Sequence, residues 1–180
     1  TPRPYTPDAT RPDDYRCFLL DAEFPEGAFV EGLETVPGDP ALVHHVLFFL
    51  ITAADVPKAE AAVVGDPDPG YRCFGGPGID NATQTLAGWA PGMQPARLPE
   101  GSALRIPPGG RIVMQVHYNT LSAVPAPDRT SLRLWLRDEP PEFLSMPKPL
   151  ANIMFDLPAG QGRSVWEETF TNYGDTPWVV

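Results

Sequence analysis

Arg111-Ile112-Val113-Met114-Gln115-Val116-His117-Tyr118-Asn119 is the stretch that decides the fold class. Ile112, Met114, Val116 and Tyr118 alternate with Arg111, Gln115, His117 and Asn119, and Val113 is the one apolar exception. Side chains alternate across a β-strand, so this reads as a half-buried strand with Gln115 and His117 on its less apolar face. Ser131 to Arg137 has the same period, with Leu132, Leu134 and Leu136 facing one way and Arg133, Trp135 and Arg137 the other. Val43 to Ile51 is apolar throughout except for His44 and His45, as in a strand covered on both faces. Further strands are predicted at residues 15–20, 29–36, 86–89, 103–106, 152–157 and 165–170. Turns such as Pro107-Pro108-Gly109-Gly110 and Pro99-Glu100-Gly101 separate them. Many short strands at this spacing predict an all-β fold, an antiparallel β-sandwich or jelly roll.

Composition agrees. With 24 prolines and 16 glycines spread without a repeat, the chain is neither collagen-like nor rich in helix. Only residues 53–64 have helix-forming composition, and Pro57 is expected to cut that helix short. At 180 residues the chain holds one full core, or one domain and part of another. Lys+Arg 13 against Asp+Glu 23 leaves a net charge of −10, which argues against nucleic acid and anionic membrane surfaces as partners. No apolar run approaches the roughly 20 residues of a membrane helix. The chain starts at Thr1 rather than Met, which leaves room for a processed leader.

The three histidines fall at two places, His44-His45 and His117, both on predicted strands. Neutral imidazole is the commonest transition-metal ligand, and three of them suit copper or zinc with room for a further ligand. A lone strand histidine such as His117 is more often a satisfied side chain than a ligand. Adjacent histidines also point to opposite faces of a regular strand, so His44 and His45 can share one ion only if the strand bends. Calcium is a weak rival, because Asp66-Pro67-Asp68 lacks the glycine and distal glutamate of an EF-hand.

Cys17 and Cys73 fit no zinc-finger or haem motif. They are either two unrelated buried thiols or one bridge closing residues 56 apart, the latter implying an oxidising compartment and roughly 4 kcal/mol of chain-entropy stabilisation.

Asp14-Tyr15-Arg16-Cys17-Phe18 followed by Val43-His44-His45-Val46-Leu47-Phe48-Phe49 resembles the opening of a copper type II, ascorbate-dependent monooxygenase. Peptidylglycine α-hydroxylating monooxygenase and dopamine β-monooxygenase belong to that family. The likeness continues through Tyr71-Arg72-Cys73, Leu86-Ala87-Gly88-Trp89-Ala90-Pro91-Gly92 and Arg97-Leu98-Pro99-Glu100-Gly101 to Gln115-Val116-His117-Tyr118. It implies two β-sandwich domains, each holding one copper. Carried over, His44, His45 and His117 match the ligands of the electron-transfer copper, reduced by ascorbate. Cys17 and Cys73 match a family disulfide. Tyr15 and Gln115 match positions near that copper, where they would hold imidazoles and polar neighbours in place; an ordinary strand tyrosine and an exposed glutamine are the plainer readings.

The family's second copper needs a His-x-His motif and a methionine, and this chain has no fourth histidine. Met114 and Met154 read as core, and Met93 and Met146 have no such partners either. The expected organisation is an extended Pro-rich segment over 1–14, a copper-binding sandwich over 15–148, and the truncated start of a second sandwich over 149–180. Exposed Trp166 and Trp178 in that last part would mark a missing partner surface. The expected function is the copper-binding amino-terminal part of such a monooxygenase, secreted or periplasmic, with a second copper domain as partner. The alternatives are a stand-alone mononuclear copper or electron-transfer protein, a zinc hydrolase with Glu31 or Glu34 as general base, and a binding sandwich with incidental histidines. Asn81-Ala82-Thr83 is a glycosylation sequon, meaningful only in a eukaryotic secretory setting.

Overall fold

Alternating apolar residues form strands wherever a covered face and a pairing partner coincide. In the computed structural model, which describes residues 1–79, 84–121, 123–148, 150 and 154–175, ten strands and one helix meet that condition. They are β1 (Asp13–Leu19), β2 (Ala28–Val36), β3 (Val43–Ile51), α1 (Val56–Gly65), β4 (Tyr71–Arg72), β5 (Gln84–Trp89), β6 (Ala96–Arg97), β7 (Ser102–Ile106), β8 (Arg111–Asn119), β9 (Ser131–Arg137) and β10 (Phe143–Leu144). The chain divides into two units, Thr1–Pro147 and Lys148–Val180, and every strand lies in the first.

That first unit is a β-sandwich. One sheet has the order β4-β1-β8-β3-β5; in the other, β2 pairs with β9, β7 and β6, and β10 extends it beyond β7. All pairings are antiparallel except β10 with β7. The core between the sheets takes Phe18 from β1, Val46, Phe48 and Leu50 from β3, and Ile112, Met114, Val116 and Tyr118 from β8. Val30, Leu104 and Ile106 oppose them from the second sheet.

The back of the first sheet is covered as well. Leu19, Phe49, Ile51 and Val113 pack there with Ala59 of α1 and Tyr71. This explains the apolar Val113, and it corrects the expectation that β8 is half-buried: Val113, Gln115 and His117 are all buried on the back face. The cover thins at the end of the sheet that carries His117, where Tyr15 and His45 are partly exposed.

Turn chemistry works as predicted at two corners. Gly110 N–H donates to Pro107 C=O at 2.9 Å with Gly109 at φ 69°, and Ser102 N–H to Pro99 C=O at 3.0 Å with Gly101 at φ 78°. A positive φ at the third residue is the condition glycine meets without strain.

The 1–14 segment is attached to the sandwich through Tyr5, which is buried, bridges to Asp128, and donates its hydroxyl to Asp14 at 2.7 Å. Several expectations need correction. Pro57 does not shorten α1; it sits in the first turn, where its missing N–H has no helical partner to lose, and so starts the helix. Residues 154–157 and 165–170 form no strand, because among the described residues of the second unit none offers a ladder partner. Met154 is accordingly 81 % exposed rather than core, and Trp166 is exposed too. Residues 152 and 153, the sequon at Asn81 and Trp178 lie outside the described residues.

Candidate metal centre

The bend that the two adjacent histidines require is a β-bulge. Along β3 and β8, Val43 lies opposite Tyr118 but His45 lies opposite His117, so His44 is the extra residue. A bulge breaks the two-residue alternation. Val43 and Val46 consequently both face the core, while His44 and His45 both fall on the side of His117.

The three ligand nitrogens lie within 4.8 Å of one another. His45 Nδ1 stands 3.2 Å from His44 Nδ1 and 3.2 Å from His117 Nδ1. A metal–imidazole bond is about 2.0–2.1 Å, so a single ion can reach both members of each pair. Burial grades across the cluster: His117 is buried, His45 intermediate and His44 exposed. Burial, then the neighbouring His117 and His44, push His45 down to about 4. Burial also lowers His117, outweighing the hydrogen bond to Asp13 that raises it. Both rings are therefore neutral near pH 7, the form that ligates metal. The donor set of three imidazoles fits copper or zinc, and the three histidines can hold a metal ion.

Two neighbours fix His117. Tyr15 stacks on it with ring centroids 4.1 Å apart and planes 6° from parallel, and Phe74 stands edge-on to Tyr15 at 5.0 Å. Asp13 Oδ1 meets His117 Nε2 at 2.8 Å. Sequence reasoning missed Asp13 and Phe74. Asp13 does share strand parity with Tyr15 and Cys17, but its approach to His117 depends on the β1–β8 register, which pairs Tyr15 with His117.

Cys17 and Cys73 form a disulfide, compatible with an oxidising compartment. Gln115 is turned toward it and away from solvent: its amide donates to Gly76 C=O at 2.9 Å and lies 3.3 Å from Cys73 Sγ. It thus holds the disulfide loop, from which Phe74 reaches Tyr15, and is not the exposed glutamine of the plainer reading. On the open side, His44 and His45 line a shallow cavity of about 570 Å³ with Leu47, Trp89, Pro91 and Met93.

Other candidates fall elsewhere. Glu31 and Glu34 are on β2 in the opposite sheet, bound to Arg97 at 2.7 Å and Arg133 at 3.0 Å, so neither is a base for these histidines. Asp66 is committed to the fully buried Arg16 through 2.5 and 3.1 Å bonds, which removes it from calcium binding. Met114 is core and Met146 is exposed. Among the described residues no helix is long and apolar enough to cross a membrane. The sequence matches no protein-family model and no curated protein.

Proposed function

We propose that this chain is the copper-binding amino-terminal part of an ascorbate-dependent copper monooxygenase, holding an electron-transfer copper that feeds an oxygen-activating copper in a second domain. The observation that carries the reading is the bulge at His44, which gathers three imidazoles where a regular strand would separate two of them. Support also comes from where the resemblance blocks fall: the segments at 43–49, 86–92 and 115–118 lie on or beside β3, β5 and β8, the strands around the cluster. Copper held there would supply one-electron chemistry between its two common oxidation states.

The residues suit that role. His45 and His117, neutral at physiological pH, take up a cation without first losing protons. Tyr15 shields one face of His117, and the side toward Trp89 and Met93 stays open to a reductant, for which ascorbate is the proposed donor. The partner is a second copper domain, in the same polypeptide or another, and the disulfide suits a secreted or periplasmic setting. The second reading, a stand-alone mononuclear copper or electron-transfer protein, is favoured by the completeness of the three-histidine cluster within the first unit. A zinc hydrolase loses its two candidate bases to the opposite sheet.

The test is metal content after copper loading and desalting. One copper per chain, absent in His117→Ala, is the expected result; no retained copper, or zinc held in preference, overturns the reading. The chain alone should not hydroxylate carbon, so ascorbate- and oxygen-dependent product from pure protein would also count against it.

A further inference from the structure

We propose that Asp13 is a positioning residue for the metal centre: it holds His117 as the Nε2–H tautomer and keeps the Nδ1 lone pair turned into the histidine cluster. An ionised carboxylate only accepts hydrogen bonds, so the 2.8 Å contact to Asp13 Oδ1 requires the proton on His117 Nε2. A neutral ring has one such proton, and Nδ1 is left bare.

The consequence lies in the spacing of the cluster. Nδ1 atoms 3.2 Å apart are at hydrogen-bonding distance, so without Asp13 the His117 proton could move to Nδ1 and be donated to His45. That bond would close the cluster on itself and occupy the lone pairs a cation needs. Asp13 opposes this by rewarding the other tautomer.

The fold delivers Asp13 by register. It pairs with Asn119 at the start of β1, which sets it diagonally across the ladder from His117. Tyr15, two residues on, stacks on the same ring, so β1 grips His117 by edge and by face. Asp13 is 53 % exposed whereas the His117 side chain is 7 % exposed, so the contact joins a solvated side chain to a buried ring. Its negative charge also makes the ring a stronger donor and favours the more highly charged state of a bound ion.

The tautomer assignment stands on the metal-free protein, whereas the effect on copper rests on the metal reading proposed above. The experiment is ¹⁵N NMR of the His117 ring in metal-free wild type, Asp13→Ala and Asp13→Asn, with copper affinity and midpoint potential measured on the same samples. Wild type should show the Nε2–H form, and Asp13→Ala should move to Nδ1–H or a mixture. Asp13→Asn, whose amide oxygen still accepts, should keep Nε2–H yet shift the potential positive through the lost charge. Copper affinity should fall about 10- to 100-fold in Asp13→Ala. An unchanged tautomer together with unchanged affinity in a folded Asp13→Ala overturns the assignment. If Asp13→Ala does not fold, a wild-type potential in Asp13→Asn overturns the role of the charge. If wild type binds no copper while the tautomer still switches, the copper reading fails and the hold of Asp13 on His117 stands.

Discussion

His45 lies directly opposite His117 across the β3–β8 ladder, with their Nδ1 atoms 3.2 Å apart, and the residue squeezed out of register beside them is His44. Irregular pairing thus makes the cluster: a perfectly regular β3 would send His44 into the core position now held by Val43. The two supports of His117 from outside the cluster, Tyr15 and Asp13, both come from β1 on the other side of β8.

Ligands and supports should separate in strength. His45→Ala removes a donor outright and should weaken copper binding by more than about 100-fold, beyond what loss of a supporting partner causes. Tyr15→Leu removes only the stacked face of His117 and should cost less. Competition titration against a chelator of known affinity measures both, and a His45→Ala protein binding like the parent would refute the three-histidine assignment.

Acid should act on the metal-free protein through His45. Its folded value of about 4 lies below the ordinary 6.5, so between these values the unfolded chain binds more protons. Stability contributed by neutral His45 is therefore complete above pH 6.5 and is lost as pH falls toward 4. Thermal melts across this window should show a falling midpoint, with a shallower decline in His45→Gln. Bound metal should be released over a lower range than in a free imidazole site, since protons compete less well for these rings.

The disulfide closes residues 56 apart, worth about 4 kcal/mol on the chain-entropy account. A Cys17→Ala/Cys73→Ala protein should lose stability of that order in urea titrations. It should also lose order around Phe74, because the backbone N–H of Cys73 donates to Tyr15 C=O and Gln115 anchors the loop at Gly76. A stability within about 1 kcal/mol of the parent would show that packing alone closes the loop.

Asp66→Ala should destabilise by about 3 kcal/mol or more, since it strands the guanidinium of Arg16, whose side chain is fully buried. The carbonyl of Pro69 still accepts from Arg16 at 2.9 Å and keeps the loss short of complete unfolding. Denaturant midpoints give the value, and a change below about 1 kcal/mol would mean that the pair is dispensable.

Three strands were legible to the residue in the sequence, at 43–51, 111–119 and 131–137, because each is bounded by turn residues and carries either an alternating period or, at 43–51, a continuous apolar run. Others were displaced by a residue or two at their ends, where hydrogen bonding rather than hydropathy sets the limit. The short β4, β6 and β10 have two residues each, too few to show any period. Residues 165–170 have strand-like composition and no strand, which reflects how far strand formation depends on a partner.

The sequence by itself determined the all-β class and the identity of the imidazoles, since alternation and turn chemistry are local and there are only three histidines to consider. Which way those imidazoles point was decided by tertiary structure alone. The bulge exists only in the pairing of β3 with β8, the reach of Asp13 to His117 only in the register of β1, and the burial of Gln115 only under the loop that Cys73 ties down. Each is a relation between segments distant along the chain, and no local pattern encodes the offset between two strands.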